Sequence, residues 1–262
     1  MISRHPDDAL LLSYANATLD AASAIVVGAH LEACAHCRRT LQALDALGGD
    51  LLERLPPHEL QAGAFERVLA RLEADIAGAD RAPRAAGASL DAPHGARSGL
   101  PTEARADTRT ATRSGTRSGT RSGTRSAPAA TRRPDVPAGM RWPRSLDGCE
   151  IGPWRRIGPG MRWTRVGVPE QPDANVVLLR MAAGRELAAH THEGIELTQL
   201  LHGAFDDGRT VWRAGDLDQT DEHIHHHPVV MPDDECICLV ALHGRVRFDG
   251  WIARRLGAWM GI

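Results

Sequence analysis

The sequence predicts a multidomain protein in which an α-helical region and an all-β region are joined by a disordered linker. Three observations lead to this fold class. Apolar residues recur at helical spacing in residues 1–80, residues 81–139 almost lack large apolar side chains, and residues 140–262 contain short apolar runs separated by Gly, Asp and Pro. The charges follow the same division, since residues 1–80 carry a net −6, residues 81–133 carry +8, and residues 134–262 carry −4.

Four helices are expected in residues 1–80. The first begins at Pro6, and Asp7 and Asp8 suit the positive end of a helix dipole. The others are predicted over residues 20–33, over 36–47 or as far as 55, and over 59–77, with Pro56-Pro57 breaking the chain before the last. The last helix carries one apolar face, formed by Phe65, Val68, Leu69, Leu72 and Ile76.

The middle of the chain is predicted to be a disordered linker, residues 81–139. It contains three copies of Thr-Arg-Ser-Gly over residues 112–123, and it has too few apolar side chains to offset the entropy lost on folding. Its arginines suggest weak contact with nucleic acid, but a solvated tether is favoured on composition. A tether of this length would let the two folded regions move independently unless they dock on each other.

The β region, residues 140–262, is expected to be a barrel or a sandwich. Many short strands within about 120 residues are typical of those folds. The clearest predicted strands are Val176–Met181, Glu196–Leu201, Thr210–Arg213 and Glu235–Leu242.

The expected location is the cytoplasm. The N-terminal residues place Asp7 and Asp8 where the apolar core of a signal peptide would begin, and no apolar run reaches the ~18 residues that a membrane span needs. In that compartment the five cysteines indicate metal or redox chemistry rather than structural disulfides.

A first metal site is predicted at His30-x3-Cys34-x2-Cys37. On a helix His30 and Cys34 lie one turn apart, and the two cysteines have the spacing with which thiolates bind one Zn²⁺. A fourth ligand is needed, and His5 is the candidate because an antiparallel helix pair would bring it back to this point. His36 is an alternative fourth ligand, and a thiol–disulfide motif is an alternative to the whole site.

Residues 1–80 resemble the zinc-binding anti-sigma domain of the ChrR type. The resemblance rests on His5-Pro6-Asp7-Asp8-x-Leu10-Leu11-x-x-Tyr14 and on Ala29-His30-Leu31-Glu32-x-Cys34-x-x-Cys37-Arg38. It implies a helical domain that binds an extracytoplasmic-function sigma factor, with His5, His30, Cys34 and Cys37 as structural Zn²⁺ ligands. This chain departs from the family at Asn16-Ala17, where a glycine is often found.

A second metal site is predicted in the β region, where Gly184-x5-His190-x-His192-x3-Glu196-x6-Gly203 matches the first cupin motif. Alternate strand residues face the same side, so His190 and His192 would both point into a barrel. The family's second motif often ends in His-x-Pro, which selects His226 as the fourth ligand, with His225 and His227 as alternatives. Such ligands suit Zn²⁺ or another divalent transition metal.

Residues 140–250 also resemble the C-terminal cupin of ChrR-type anti-sigma factors. That family carries a cysteine pair similar to Cys236 and Cys238, which are either redox-active or simply buried. The resemblance implies a domain that is dispensable for inhibition but needed for the response to singlet oxygen or organic peroxide. It predicts a cytoplasmic, non-enzymatic anti-sigma factor without catalytic residues, membrane association or specific DNA binding. A cupin-type metal dioxygenase with an accessory zinc domain is the alternative.

Overall fold

The structure, a computed structural model, describes residues 2–79 and 133–250. Within these ranges, residues 2–44 and 133–250 form one compact unit, and residues 45–79 belong to a second. The predicted fold class is confirmed for these ranges, because four helices precede a region of antiparallel strands. The predicted linker lies outside the described residues, except for positions 133–139.

The four helices are α1 Asp8–Ala15, α2 Ala21–Ala33, α3 Ala35–Glu53 and α4 Ala64–Ala79. Side-chain caps fix two of the starts, since Asp7 accepts a hydrogen bond from the Leu10 N–H and Asp20 accepts one from the Ser23 N–H. Helix α4 begins five residues later than predicted, directly after Gly63, whose φ of 73° is incompatible with a helix. Among the helices of the described residues, none is long and apolar enough to cross a membrane.

A short 3₁₀ helix, Arg144–Leu146, precedes twelve strands that pair only in antiparallel fashion within the described residues. The largest sheet has the order β1-β3-β4-β11-β6-β9, with β2 also paired to β3, and two smaller sheets have the orders β10-β7-β8 and β12-β5. The strands are β1 Glu150–Ile151, β2 Arg155–Gly158, β3 Met161–Gly167, β4 Asn175–Met181, β5 His190–His192, β6 Glu196–His202, β7 Ala204–Asp206, β8 Val211–Arg213, β9 Leu217–Thr220, β10 Val229–Val230, β11 Cys236–Leu242 and β12 Val246–Phe248.

Strand β11 separates two hydrophobic cores. All seven of its residues are buried, because both faces of the sheet are covered at this point. Ile237, Leu239 and Ala241 join a core shared with the helices, whereas Cys236 and Cys238, with the remaining residues of the strand, join the core inside the barrel. The alternation of a pleated strand therefore places every second residue against the helices.

Helix α2 packs on the outer face of the large sheet, so residues 2–44 dock on the barrel and do not move independently of it. Val26 and Val27 are fully buried and belong to the same core as the outward-facing residues of β11. A carboxylate contact adds to this packing, because Glu32 accepts hydrogen bonds of 2.8 Å from the N–H groups of Arg144 and Ser145. The physical reason is the composition of α2, which is apolar on more than one side and must be covered on more than one side.

Residues 133–139, which the sequence assigned to the linker, contact the barrel. The Trp154 indole N–H donates to the Asp135 carbonyl oxygen at 2.9 Å, and Arg180 also pairs with the Asp135 carboxylate. Val136 packs against the core that the helices share with the sheet. Because of these contacts, residues 133–139 belong with the barrel and not with the linker.

Candidate metal centres

The helical region brings His5, His30, Cys34 and Cys37 together. Their ligand atoms all lie within 4.8 Å of one another, and only His5 is partly exposed. His5 precedes α1, His30 lies in the last turn of α2, and Cys34 ends α2 just before Cys37 in the first turn of α3. The turn between α2 and α3 therefore supplies three of the four side chains, as the His-x3-Cys-x2-Cys spacing predicts.

The distances in this cluster fit a tetrahedral metal ion. The His5 Nδ1 atom lies 3.4 Å from the Sγ atoms of both Cys34 and Cys37. Ordinary zinc–sulfur and zinc–nitrogen bond lengths place two such ligand atoms about 3.5 Å apart in a tetrahedral site. The four residues are thus arranged so that they could hold a metal ion.

His30 is poised as a ligand through its Nε2 atom. Its Nδ1 atom is hydrogen-bonded to Gln199 Oε1 at 3.0 Å, whereas Nε2 is buried without a hydrogen-bond partner. Because burial lowers the pKa of His30 to about 4, the imidazole is neutral at pH 7 and its Nε2 lone pair is available. His36, the alternative ligand, is exposed and lies outside the four-residue cluster.

The barrel brings His190, His192 and His226 together, and their ring nitrogens also lie within 4.8 Å of one another. The Nε2 atoms of His190 and His226 are 3.0 Å apart, and Glu196 Oε2 lies 2.9 Å from His192 Nε2. His190 and His226 face each other because their backbones form an isolated antiparallel bridge. The four residues predicted from the cupin motifs therefore converge inside the barrel.

Protonation states at this cluster suit a cation. The His190 Nδ1 atom is 2.8 Å from the Ala188 carbonyl oxygen, which fixes the proton on Nδ1 and leaves Nε2 as an acceptor. Burial and the neighbouring His190 lower the pKa of His226 to about 4. Burial alone would raise the pKa of Glu196, but its pairing with His192 lowers it to about 2. Burial alone would lower the pKa of His192, but its hydrogen bond with Glu196 raises it, so His192 holds a proton more strongly than His190 and His226 do. A bound cation would displace that proton, because neutral imidazoles beside an ionised carboxylate are the forms that bind a metal.

The other histidines of the His223–His227 run point away from the cluster. His225 and His227 are exposed and pair with Asp249 and Glu186 respectively, whereas His226 between them is buried. The strand-like alternation of this segment explains the difference. The structure thus brings only His226 of the three alternatives to the predicted ligands.

Cys236 and Cys238 lie side by side in the barrel core, with their Sγ atoms 3.6 Å apart. Both are buried, and the hydrogen bond with Cys236 together with burial raises the pKa of Cys238 well above its ordinary value. A thiol that stays protonated is a poor nucleophile. The geometry brings the pair together, and a redox role remains a prediction.

Sequence reasoning missed a charged group next to His226. Asp207 Oδ2 lies 3.9 Å from His226 Nδ1, and the Arg209 guanidinium pairs with both Asp207 and Asp218. Asp207, Asp218 and His226 also place ligand atoms within 4.8 Å of one another, and burial raises the pKa of Asp218 to about 7 although Arg209 lies beside it. No sequence motif marks this group, because its members meet only through the pairing of non-adjacent strands.

Comparisons with known proteins show which families and structures the chain resembles. The family model described as the ChrR cupin-like domain matches residues 149–246. The anti-sigma-E factor ChrR of Cereibacter sphaeroides is 30% identical over 255 residues, which cover 97% of this chain and 95% of that protein. The crystal structure of Rhodobacter sphaeroides SigE in complex with the anti-sigma ChrR matches with a TM-score of 0.60 and 27% identity, over 93% of this chain and 100% of the matched chain. An acetylacetone dioxygenase from Acinetobacter johnsonii matches with a TM-score of only 0.33 and 17% identity, over 42% of this chain and 85% of its own.

Proposed function

Because this chain belongs to the family of the anti-sigma-E factor ChrR, we propose that it is an anti-sigma factor. It sequesters an extracytoplasmic-function sigma factor in the cytoplasm and releases it under oxidative stress. Inhibition is assigned to the helical region, residues 1–80, and sensing to the barrel, residues 140–262. The observation that carries the proposal is similarity to ChrR along the whole chain, including both the helical region and the barrel.

The exposed side of α4 supports a protein partner. Phe65, Val68, Leu69, Leu72 and Ile76, the apolar face predicted from the sequence, are between 41% and 67% exposed. A helix with one apolar face binds a complementary groove on a partner, since burying that face is favourable. In this proposal the groove belongs to the sigma factor.

The His5–His30–Cys34–Cys37 cluster is proposed to bind one Zn²⁺ with a structural role. Two thiolates and two imidazoles are a common ligand set for structural zinc, and the bound ion would tie α1, α2 and α3 at one point. The positions of the four ligands determine which segments the ion would hold together. Cys34 and Cys37 lie at the turn between α2 and α3, and His5 lies in the segment before α1.

In vitro transcription with the cognate sigma factor tests the inhibitory role. The natural chain should silence transcription from a sigma-dependent promoter, and Cys37→Ser should lose both one zinc per chain and the inhibition, because metal binding and folding are coupled. Cys149→Ser is the matched control, since Cys149 is buried but lies outside the cluster. Undiminished transcript at saturating natural chain would contradict the proposal.

The barrel cluster of His190, His192, Glu196 and His226 is proposed to bind Zn²⁺ or another divalent transition metal that reports oxidative stress. A cavity of about 70 Å³, mostly apolar in its lining, adjoins His190, Glu196 and His226. This site would admit a small oxidant or peroxide next to the ligands. The family membership favours such a regulatory site over the dioxygenase alternative.

A reporter driven by the sigma factor's own promoter tests the sensing role. The double variant His190→Ala/His192→Ala should lose the barrel metal, keep the promoter silent, and fail to induce it under singlet oxygen or organic peroxide. His223→Ala/His227→Ala, which alters two exposed histidines, is the matched control and should induce normally. Normal induction in the first variant would exclude the metal as the sensor and shift attention to Cys236 and Cys238.

A further inference from the structure

The N-terminal metal cluster is not built by the helices alone. His30 is hydrogen-bonded through Nδ1 to Gln199, a residue of barrel strand β6, at 3.0 Å. Both side chains are almost completely buried, at 0% and 1% exposure. The bond fixes which ring nitrogen faces the cysteines, because a proton held on Nδ1 leaves Nε2 free for a metal ion.

The segment before His5 is also attached to the barrel. The N–H groups of Ser3 and Arg4 donate to one carboxylate oxygen of Asp216, at 2.8 and 3.1 Å, and the Leu217 N–H donates to the Arg4 carbonyl at 3.3 Å. The other Asp216 oxygen accepts a bond from the Arg213 N–H at 2.9 Å. Asp216, which is 1% exposed, therefore joins the turn between β8 and β9 to the residues that place His5.

Strand β6, which carries Gln199, also carries Glu196 of the barrel cluster. Strand β6 begins with Glu196 and contains Gln199, and β9 pairs with it through Gln199↔Leu217 and Thr198↔Asp218. Alternation along β6 directs Glu196 into the barrel and Gln199 toward α2. The two metal clusters therefore lie on opposite faces of one pair of strands.

We propose that Gln199 is a positioning residue of the N-terminal zinc site, so that a barrel side chain sets how tightly the helical region holds its metal. This inference rests on the proposed zinc site. Its mechanism is mechanical, since a shift of β6 at Glu196 moves Gln199 and with it His30. The strand pair thus provides a route from the proposed sensor to the proposed inhibitory region.

The expected loss of zinc affinity can be estimated from other metal sites, in which a second residue hydrogen-bonds to a ligating histidine. Removing the partner of a ligating histidine weakens metal binding by about 10–100-fold. The substitution Gln199→Met removes the side-chain acceptor of the His30 Nδ1–H and keeps a side chain of similar length, while the Gly215 backbone, which also interacts with the His30 ring, stays in place. Gln199→Glu keeps an oxygen acceptor at the same reach, and as the protonated acid, the form that burial favours, it also replaces the donor that Gln199 Nε2 presents to the Leu200 carbonyl oxygen. It should therefore restore binding to within about threefold of the natural chain.

Cobalt(II) substitution in the full-length chain is the measurement, because absorption from a thiolate–cobalt bond reports the site that contains Cys34 and Cys37. Zinc competition against this absorption gives the zinc affinity of each variant. Gln219→Met is the matched control, since Gln219 is an exposed residue of the neighbouring strand β9. Thermal unfolding of the metal-free chains separates a positioning role from a general loss of stability.

The expected result is a 10–100-fold weaker zinc affinity for Gln199→Met, with Gln219→Met and Gln199→Glu close to the natural chain. Equal affinity of Gln199→Met and the natural chain would overturn the inference while leaving the zinc site intact. Failure of Gln199→Glu to restore binding would assign the effect to packing and would also overturn it. Absence of thiolate–cobalt absorption in the natural chain would instead refute the proposed zinc site itself.

Discussion

The attachment of α2 to the barrel depends on Glu32, and removing its carboxylate should weaken the whole compact unit. This carboxylate accepts hydrogen bonds from the N–H groups of Arg144 and Ser145, both at 2.8 Å, at the start of the 3₁₀ helix. The backbone of α2 also lies close to the 3₁₀ helix at this point, because a Cβ atom added to Gly28 would lie 3.2 Å from Ser145 Cβ. Glu32→Ala therefore cuts the polar contact without altering the neighbouring packing.

The expected loss can be worked out from these two bonds. A hydrogen bond to a charged group contributes about 1.5–3 kcal/mol, and water replaces part of it when the group is partly exposed, as Glu32 is. We expect Glu32→Ala to lower the free energy of unfolding by about 2 kcal/mol, a factor of about 30 in the ratio of folded to unfolded chains. Glu32→Gln, which keeps one acceptor oxygen, should lose about half as much.

Urea unfolding followed by tryptophan fluorescence and by helical circular dichroism measures this loss. The tryptophan signal should shift to lower urea in Glu32→Ala, because α2 and the sheet share one core. Much of the helical signal comes from residues 45–79, which belong to the second unit, so it should shift only in part. Glu73→Ala, an exposed substitution on α4, is the control and should leave the midpoint unchanged. An unchanged tryptophan-fluorescence midpoint for Glu32→Ala would refute the attachment of α2 to the sheet through Glu32.

Three further predictions concern α4, the α1–α2 turn and the zinc cluster. Leu72→Asp on the exposed face of α4 should weaken sigma-factor binding at least tenfold in a calorimetric titration, with the unfolding free energy unchanged within about 0.5 kcal/mol; unchanged binding would exclude this face. Ala17 has a φ of 52°, so Ala17→Gly should stabilise the chain by about 0.5 kcal/mol and Ala17→Val should destabilise it, as judged by thermal unfolding; the reverse order would contradict the strain. Because burial raises the pKa of Cys37 to about 12 and lowers that of His30 to about 4, zinc binding at pH 7 should release at least one thiol proton and none from His30. The zinc affinity should then rise at least tenfold per pH unit below the thiol pKa, and calorimetry in buffers of different ionisation enthalpy should count the proton; a pH-independent affinity would contradict this assignment.

The local elements could be predicted because their signals are local. Helix α2 was expected over residues 20–33 and begins one residue later, since Asp20 caps it. The predicted strand over residues 235–242 corresponds to β11, Cys236–Leu242. Short spacings predict three ligands of each metal cluster, because they place side chains on one helical turn or near one another on a strand. The fourth ligands needed other arguments, since His5 was chosen from an expected antiparallel helix pair and His226 from the resemblance to the cupin family.

The attachment of the helical region to the barrel could not be predicted in the same way. It depends on hydrogen bonds between residues far apart in sequence, such as His30 with Gln199 and Ser3 with Asp216. The spacing of residues along the chain does not indicate these contacts. One feature of the sequence does indicate that α2 packs against more than one neighbour. The run Ala24-Ile25-Val26-Val27-Gly28-Ala29 is apolar on every side of a helix, which indicates cover from more than one neighbour.

The bond between Ser3 and Asp216 spans 213 residues of sequence, and this separation has a consequence for synthesis on the ribosome. At about 5–20 residues per second, translation reaches Asp216 roughly 10–40 s after it has passed Ser3. During that interval the helices exist without the sheet that later covers Val26 and Val27. A nascent chain therefore displays an apolar surface that the finished protein hides, and a partner present at the ribosome meets the helical region before the barrel does.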